Sequence, residues 1–401
     1  MNIKQPPLLA GVRVLDLSRV LAGPYCTMLL GDLGADIIKV EVPDLGDDTR
    51  HWGPPFAPGG ESAYFLCVNR NKRSLTLNLK SDEGQQILKA LIQQCDILIE
   101  NFKVDTLEKW GLSYADLQDL RPGLIYCTIT GYGYTGPYRH LPGYDFIIQA
   151  QGGVMSITGP EDGEPYKVGV AIADITAGLF ACNAILAALF EHQRSGRGQR
   201  IDISLLDSQV AWLANVGSNY LISGEKPKRY GNAHPNIVPY QTFKARDGYF
   251  ALAIGNDSQW RQFCEQVGKR EWGQDPRFKT NAGRVENRAV LISLLEELFS
   301  QYEITHWLSI LEAIRVPCGP INTIDQLMDD PQVRAREMLV NMPHPTAGSV
   351  QMVGSPLKIP TSPVVIRLAP PLLGEHTEQV LKEMLGYDEI KIQTLRNSRV
   401  I

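Results

Sequence analysis

Several of the patterns that announce a common chemistry are missing from this sequence. It has no G-x-S-x-G, no P-loop, no H-E-x-x-H and no protein-kinase signature. The seven cysteines (Cys26, Cys67, Cys95, Cys127, Cys182, Cys264 and Cys318) are scattered, odd in number and never form C-x-x-C. They read as buried free thiols of a reducing compartment, not as bridges or a zinc site. The seven His contain no H-x-x-x-H, so no structural or catalytic metal is expected. There is no excess of basic charge. With 39 Lys and Arg against 44 Asp and Glu, net −5, the charge argues against general nucleic-acid or membrane-surface binding, and an anionic ligand needs a local basic pocket. The opening MNIKQPPLLAGVRVLDLS has neither an apolar h-region nor an Arg-rich transit pattern, so a cytoplasmic location is expected. A clean apolar run of the roughly 20 residues a bilayer crossing needs is also missing. The longest apolar stretch, Val168–His192, is interrupted by Asp174 and Asn183 and reads as a helix buried on nearly all faces.

What is present is ordinary for a soluble enzyme: 44% hydrophobic and 21% charged residues in a 401-residue chain, long enough for two domains or one large one. Strand–turn–helix–strand rhythm begins at Val12–Leu17, with a helix opened by Gly23-Pro24 and a second strand at Ala35–Glu41. Further strands are predicted at Ser74–Leu79, Asp96–Asn101, Leu124–Thr130 and Gln199–Ile203, and helices at Ser81–Gln94 and Leu205–Ile222. This is parallel-sheet texture without the G-x-G-x-x-G of a dinucleotide site. It changes near Gly224. A linker over Lys226–Pro239 leads to a hairpin at Tyr240–Ile254, turned by Arg246-Asp-Gly, and then to helical patterns of an α+β unit.

Two features are able to carry chemistry. One is Asp174, at the head of the apolar run. An Asp ahead of a helix is ordinarily an N-cap. The same N–H groups and dipole would keep a nucleophilic carboxylate ionised, and spacing does not choose between the two roles. The other is a series of polar strand ends and loops: Arg19–Ala22, Asn69–Lys80, Asn101–Lys103, Lys109 and Gly143–Asp145. In an open α/β sheet, ligands bind beyond the carboxyl ends of strands, where such loops collect. Taken singly, Asn69–Ser74 reads as a solvated turn before a phosphate site, Tyr144 as a buried aromatic and Asp145 as a turn residue.

Taken together, these motifs are recognisable. The sequence resembles the class III CoA-transferases (CaiB/BaiF, formyl-CoA transferase family) over almost the whole chain. The resemblance rests on RVLAGP (Arg19–Pro24), GDLGADIIKVE (Gly31–Glu41), NKRS (Asn71–Ser74), ENF (Glu100–Phe102), GYD (Gly143–Asp145), ADITAG (Ala173–Gly178), SGRGQ (Ser195–Gln199), CGP (Cys318–Pro320) and PLLGEHT (Pro371–Thr377). GDDTRHWGPPF (Gly46–Phe56), TGYGYTGP (Thr130–Pro137), ITGPEDG (Ile157–Gly163) and RYGNAHPNIVPYQTF (Arg229–Phe243) are most similar to the succinyl-CoA–glutarate branch.

The resemblance implies an α/β fold with a large Rossmann-like domain (residues 1–215, completed by a return segment at 335–401) and a smaller α+β domain at 225–330. It also implies an interlocked homodimer. Asp174 becomes the catalytic nucleophile. CoA binding is implied for Leu21, Ala22, Leu77, Asn78, Leu79, Lys80, Asn101, Phe102, Lys103, Lys109, Tyr144 and Asp145, and a substrate lid for Gly231, Asn232, Ala233 and His234. The implied partners are an acyl-CoA, succinyl-CoA, and a free dicarboxylic acid such as glutarate, with no tightly bound cofactor and no nucleic-acid or membrane partner. Val42 stands where the oxalate-specific members carry Arg, and Gly231–His234 replaces their glycine tetrad, so oxalate is disfavoured as acceptor. Two rival readings are an acyl-CoA racemase on the same fold, against which Tyr144 counts because that branch has His there, and a non-catalytic acyl-CoA-binding protein.

Overall fold

The computed structural model describes residues 6–401. They form two compact units. Residues 6–154, Val168–Ser218 and Gln332–Ile401 make the first; Met155–Lys167 and Asn219–Pro331 make the second. Residues 155–167, which the sequence places in the large domain, thus belong to the second unit.

The first unit is built on six strands: β1 (Arg13–Asp16), β2 (Asp36–Glu41), β3 (Lys72–Thr76), β4 (Ile97–Glu100), β5 (Ile125–Thr130) and β6 (Gln199–Ser204). Their order is β3-β2-β1-β4-β5-β6 and every pairing is parallel. Chain order reverses direction across the sheet between β1 and β4, the place where doubly wound sheets open a crevice. β1, β2, β4 and β5 are largely apolar because helices cover both faces of the sheet there. On one face Leu15, Ile38, Leu75, Leu98 and Tyr126 pack with the Asp82–Ile92 helix and with two C-terminal helices, Thr377–Leu385 and Glu389–Asn397. On the other, Val14, Ile37, Ile97, Ile125 and Cys127 pack with the Ala22–Asp32 and Ile172–Ser195 helices. The return segment therefore supplies part of one layer of the first unit. A hairpin of β10 (Leu339–His344) and β11 (Gly348–Val353) lies in the same unit.

Two sequence expectations need correction here. The 24-residue Ile172–Ser195 helix is long and apolar enough to cross a bilayer by length and composition. Within this chain it buries Ala173, Ala177, Ala181, Ile185 and Ala188, but Leu179, Phe180 and Phe190 stay exposed, because the sheet and the neighbouring helices cover only one side. The single helix expected over Leu205–Ile222 is two, Leu205–Trp212 and Ala214–Ser223, interrupted where Ala214 takes a positive φ of 40°.

The second unit carries the expected hairpin, β7 (Tyr240–Lys244) and β8 (Tyr249–Ala253), extended by β9 (Cys318–Pro320). Its core is aromatic: Phe243, Phe250, Trp260, Phe263, Phe299 and Trp307.

Around β1–β3 the first unit buries a network of charge. Asp16 accepts from the hydroxyls of Ser18 and Thr27 and from Lys72 Nζ at 3.3 Å. Lys72 also donates to Pro24 O at 2.9 Å and Asn69 Oδ1 at 3.0 Å. Lys39 bridges Ser18 O at 2.8 Å and Asp47 Oδ2 at 2.9 Å. Arg50 forks onto Glu41 with two 2.8 Å bonds, and Arg70 onto Asp32 at 2.9 and 2.6 Å. Asn69–Lys72 is accordingly neither a solvated turn nor a phosphate site; it is an interior strut. Breaking a buried pair on one side strands the other charge, which costs about 3–5 kcal/mol, whereas an exposed pair contributes under about 1 kcal/mol. Asp16→Ala is therefore expected to lower the urea midpoint far more than Asp48→Ala, whose partner Arg19 lies 3.6 Å away at the surface. Equal midpoints would show that the network is structurally idle.

Candidate active site

Asp174 lines a cavity of about 250 Å³ at the carboxyl edge of the sheet. Its walls come from the segments after four strands: Arg19–Ala22 after β1, Asp48 after β2, Asn101–Val104 after β4, and Gly131 with Arg139–Tyr144 after β5. One close approach sets the position of Asp174 in this wall. A Cβ on Gly178, one turn further along the helix, would stand 2.6 Å from Ala22 O. Only glycine lets the long helix sit so near the start of the Ala22–Asp32 helix.

Asp174 is not the N-cap. The helix begins at Ile172, and Ala171 occupies the cap position without a side-chain bond. The capping carboxylate comes from elsewhere: Asp145 Oδ1 accepts from Ala173 N at 2.8 Å and from Asp174 N at 3.4 Å. Ile172 N donates to Val170 O and Ile175 N to Ala171 O. Of the N–H groups that a helix start leaves open, those of Ile172, Ala173 and Asp174 are thereby engaged. Asp145 is itself held by Gln149 Nε2 at 2.8 Å, and the buried Gln149 also accepts from Val168 N at 2.8 Å. Gly143 and Gly131 let the loop carrying Asp145 cross the end of β5, since a Cβ on either would stand 2.7 Å from the other's Cα.

The Asp174 carboxylate has no hydrogen-bond or ion-pair partner among the described residues. Its neighbours Ala171 and Ile175 pack into an apolar cluster with Leu21, Met28, Val68 and Tyr64. Burial in that setting, with Asp145 as a nearby like charge, pushes its pKa up to about 7. A desolvated carboxylate without donors is a costly arrangement for stability and a suitable one for a nucleophile.

A second cavity, of about 640 Å³, shares Arg19, Asp48 and Phe102 with the first. It runs over the ends of β2 and β3, along Val42–Asp48 and Leu77–Lys80, to Trp110 and Arg399. A cavity of that volume is in the range of organic-ligand sites.

Residues 9–377 match the protein family described as CoA-transferase family III. The chain belongs to this family. It is an enzyme that transfers CoA. It is similar to the mouse (Mus musculus) succinyl-CoA:glutarate CoA-transferase, 47% identical over 98% of this chain and 90% of that protein. It is 46% identical to the succinate–glutarate CoA-transferase of Agrobacterium fabrum, over 96% of this chain and 97% of the other. A crystal structure of a CaiB/BaiF family protein from Brucella suis superposes with a TM-score of 0.83 at 46% identity, covering 95% of this chain and all of that one.

Within this CoA-transferase the residues assigned to CoA from the sequence divide three ways. Leu21, Ala22, Asn101, Phe102, Lys103 and Tyr144 line the first cavity, and Leu77–Lys80 with Phe102 line the second. Asn101 has a structural task as well, since its amide accepts from Arg19 N at 2.9 Å and donates to Arg19 O at 2.7 Å. Lys109 is exposed on the Glu108–Trp110 turn and lines neither cavity, and Asp145 caps the long helix instead of lining a cavity. Tyr144 is two-thirds exposed, not a core aromatic. Gly231–His234 lie in the second unit as a hydrogen-bonded turn: Gly231 N donates to Gly159 O, Ala233 N to Tyr230 O, and Arg288 Nη2 to His234 O at 2.7 Å. Sequence reasoning missed Arg139, His140 and Arg399 as lining residues. Arg139 and His140 follow the TGYGYTGP motif directly, a signal that was available; Arg399 had none.

The raised pKa has a thermodynamic consequence with a definite sign. From pH 4 to 7 the folded protein keeps a proton on Asp174 that the unfolded chain has lost, so this residue's contribution becomes more unfavourable as pH rises toward 7. Asp174→Asn is expected to be more stable than the wild type at pH 8, by on the order of a few kcal/mol and so with a higher melting temperature, the gap shrinking toward pH 5. Calorimetric scans at both pH values measure this. A variant no more stable than wild type at pH 8 would contradict the desolvated carboxylate.

Proposed function

We propose that the protein moves CoA from succinyl-CoA to a dicarboxylic acid, glutarate, through covalent intermediates on Asp174. The observation that carries the chemistry is a cavity-lining carboxylate, half-buried beside an apolar cluster and excused from helix capping by Asp145. The full-length similarity to relatives named for succinate and glutarate supports the choice of substrates.

The steps need one carboxylate. Asp174 attacks the thioester carbonyl, forming an aspartyl–succinyl anhydride and releasing CoA thiolate. The thiolate attacks the aspartyl carbonyl, succinate leaves, and an aspartyl-CoA thioester remains. A glutarate carboxylate then displaces the thiolate to give a second anhydride, and thiolate attack on its glutaryl carbonyl frees glutaryl-CoA and Asp174. Each step is an acyl transfer between comparable leaving groups. The anhydrides require exclusion of water, and we assign that task to Gly231–His234 by analogy with the family. Oxyanion stabilisation falls to backbone N–H groups near Gly143–Asp145, because those of Ile172, Ala173 and Asp174 in the long helix are already engaged. Tyr144 offers no imidazole base for α-proton exchange, which disfavours a racemase. The interlocked homodimer is supported by the uncovered apolar side of the long helix, with Leu179, Phe180 and Phe190 exposed in the single chain.

Intact-protein mass spectrometry with peptide mapping after incubation with succinyl-CoA tests the reading. A CoA-sized or succinyl adduct on Asp174 is expected, and glutarate should discharge it as glutaryl-CoA. Asp174→Ala should lose at least about 10³-fold in turnover, as expected for a covalent residue acting as part of a unit. An adduct that glutarate leaves untouched would retain the transferase and reject this acceptor. Unchanged turnover in Asp174→Ala would reject the covalent route.

A further inference from the structure

The second cavity combines an apolar wall with cations that have no partner. Leu77, Leu79, Phe102 and Trp110 form part of the wall. Of the acids around it, Glu41 is taken by Arg50, Asp47 by Lys39 and Asp48 by Arg19. Asp44 is the acid there without an ion pair among the described residues. Lys80 and Arg399 are the cations whose side chains have no hydrogen bond or ion pair among the described residues. Lys80 is engaged only through its backbone N–H, to Asn78 Oδ1. An apolar surface beside two unspent cations is suited to an organic ligand that carries phosphate.

Arg399 reaches the cavity by way of a tightly docked C-terminal segment. The Glu389–Asn397 helix buries Ile392 and Leu395, and Val400 is buried beyond it. Val400 O accepts from Asn78 N at 2.7 Å, and Arg399 N donates to Arg396 O at 3.0 Å. Arg399 is thus pinned on both sides, next to the Leu77–Lys80 loop. Its φ is +57°, a left-handed conformation that Gly and Asn adopt readily and Arg seldom does. The left-handed turn is the ordinary way to close a helix end, sealed here by Val400 N on Leu395 O at 2.9 Å, and it leaves the exposed guanidinium at the cavity wall with no partner of its own among the described residues.

We propose that Arg399 is a phosphate ligand of CoA, acting with Lys80 across the second cavity. The proposal rests on the reading of this site as a CoA site. The planar guanidinium fork would take two oxygens of one phosphate, and Lys80 would add a point charge. Both the 3′-phosphate and the diphosphate of CoA offer this chemistry.

The test is calorimetric titration of the full-length protein with CoA, without any acceptor acid. Arg399→Asn removes the fork and suits the left-handed backbone, so its melting temperature should match or exceed that of wild type. Its affinity for CoA is expected to fall about tenfold or more, with a shallower salt dependence, and Arg399→Lys should recover part of the loss. Titration with dephospho-CoA locates the contact. A loss confined to CoA assigns the 3′-phosphate, and an equal loss with both ligands assigns the diphosphate. Equal CoA affinity in wild type and Arg399→Asn would overturn the proposal, as would wild-type protein that fails to bind CoA. Because the readout is binding, a failed assignment leaves the acceptor reading untouched, and inactivity toward glutarate leaves this test standing.

Discussion

The site depends on one hydrogen-bonded contact, the Asp145 carboxylate on the backbone N–H groups of Ala173 and Asp174. A helix start demands acceptors, and the carboxylate nearest in sequence is that of Asp174 itself. Were Asp174 to fold back as a cap, its oxygens would be satisfied and withdrawn from the cavity. Asp145, delivered by a different loop, meets the demand and leaves Asp174 facing the cavity with no donor. The delivery relies in turn on two backbone crossings that tolerate no side chain, Gly131 against Gly143 and Gly178 against Ala22.

The same economy of partners governs charge across the first unit. Around β1–β3, Asp16, Lys72, Lys39, Asp47, Arg50 and Glu41 are buried and paired, and they hold the loops that follow those strands. At the cavities the balance is reversed: among the described residues the acids Asp174 and Asp44 and the cations Lys80, Lys103 and Arg399 have no ion pair. Interior pairs hold the loops in shape, while unpaired groups at the cavities are left open to a ligand. Such groups reduce folded-state stability, the usual relation between an active site and its scaffold.

The arrangement follows from sheet topology. Parallel strands direct all their carboxyl ends to one edge, and the reversal of order between β1 and β4 parts the loops there. Residues 19–22, 42–48, 77–80, 101–104 and 139–144, far apart in the chain, become walls of two adjoining cavities. The C-terminal helices cover one face of the sheet, and in doing so place Arg399 beside the loop after β3.

Much of this was legible in the chain itself. β1, β2, β4 and β5 are short apolar runs between turn signals, and burial on both faces makes such runs visible without knowledge of partners. The family motifs singled out Asp174 and the loops after β1, β3 and β4, because a backbone that must approach a ligand closely restricts its residues locally. β3 starts two residues and ends three residues before the expected Ser74–Leu79, at Lys72–Thr76, because Lys72 and Arg73 are charged residues held in the sheet by pairing with the distant acids Asp16 and Asp36 and so look like surface residues. Asp145 read as a turn residue, Asn69–Lys72 as a solvated turn, and Arg399 carried no signal. Local pattern records what a residue needs, an acceptor, a donor or cover from water. Which residue across the chain meets that need was decided only when the sheet and its helices brought them within bonding distance.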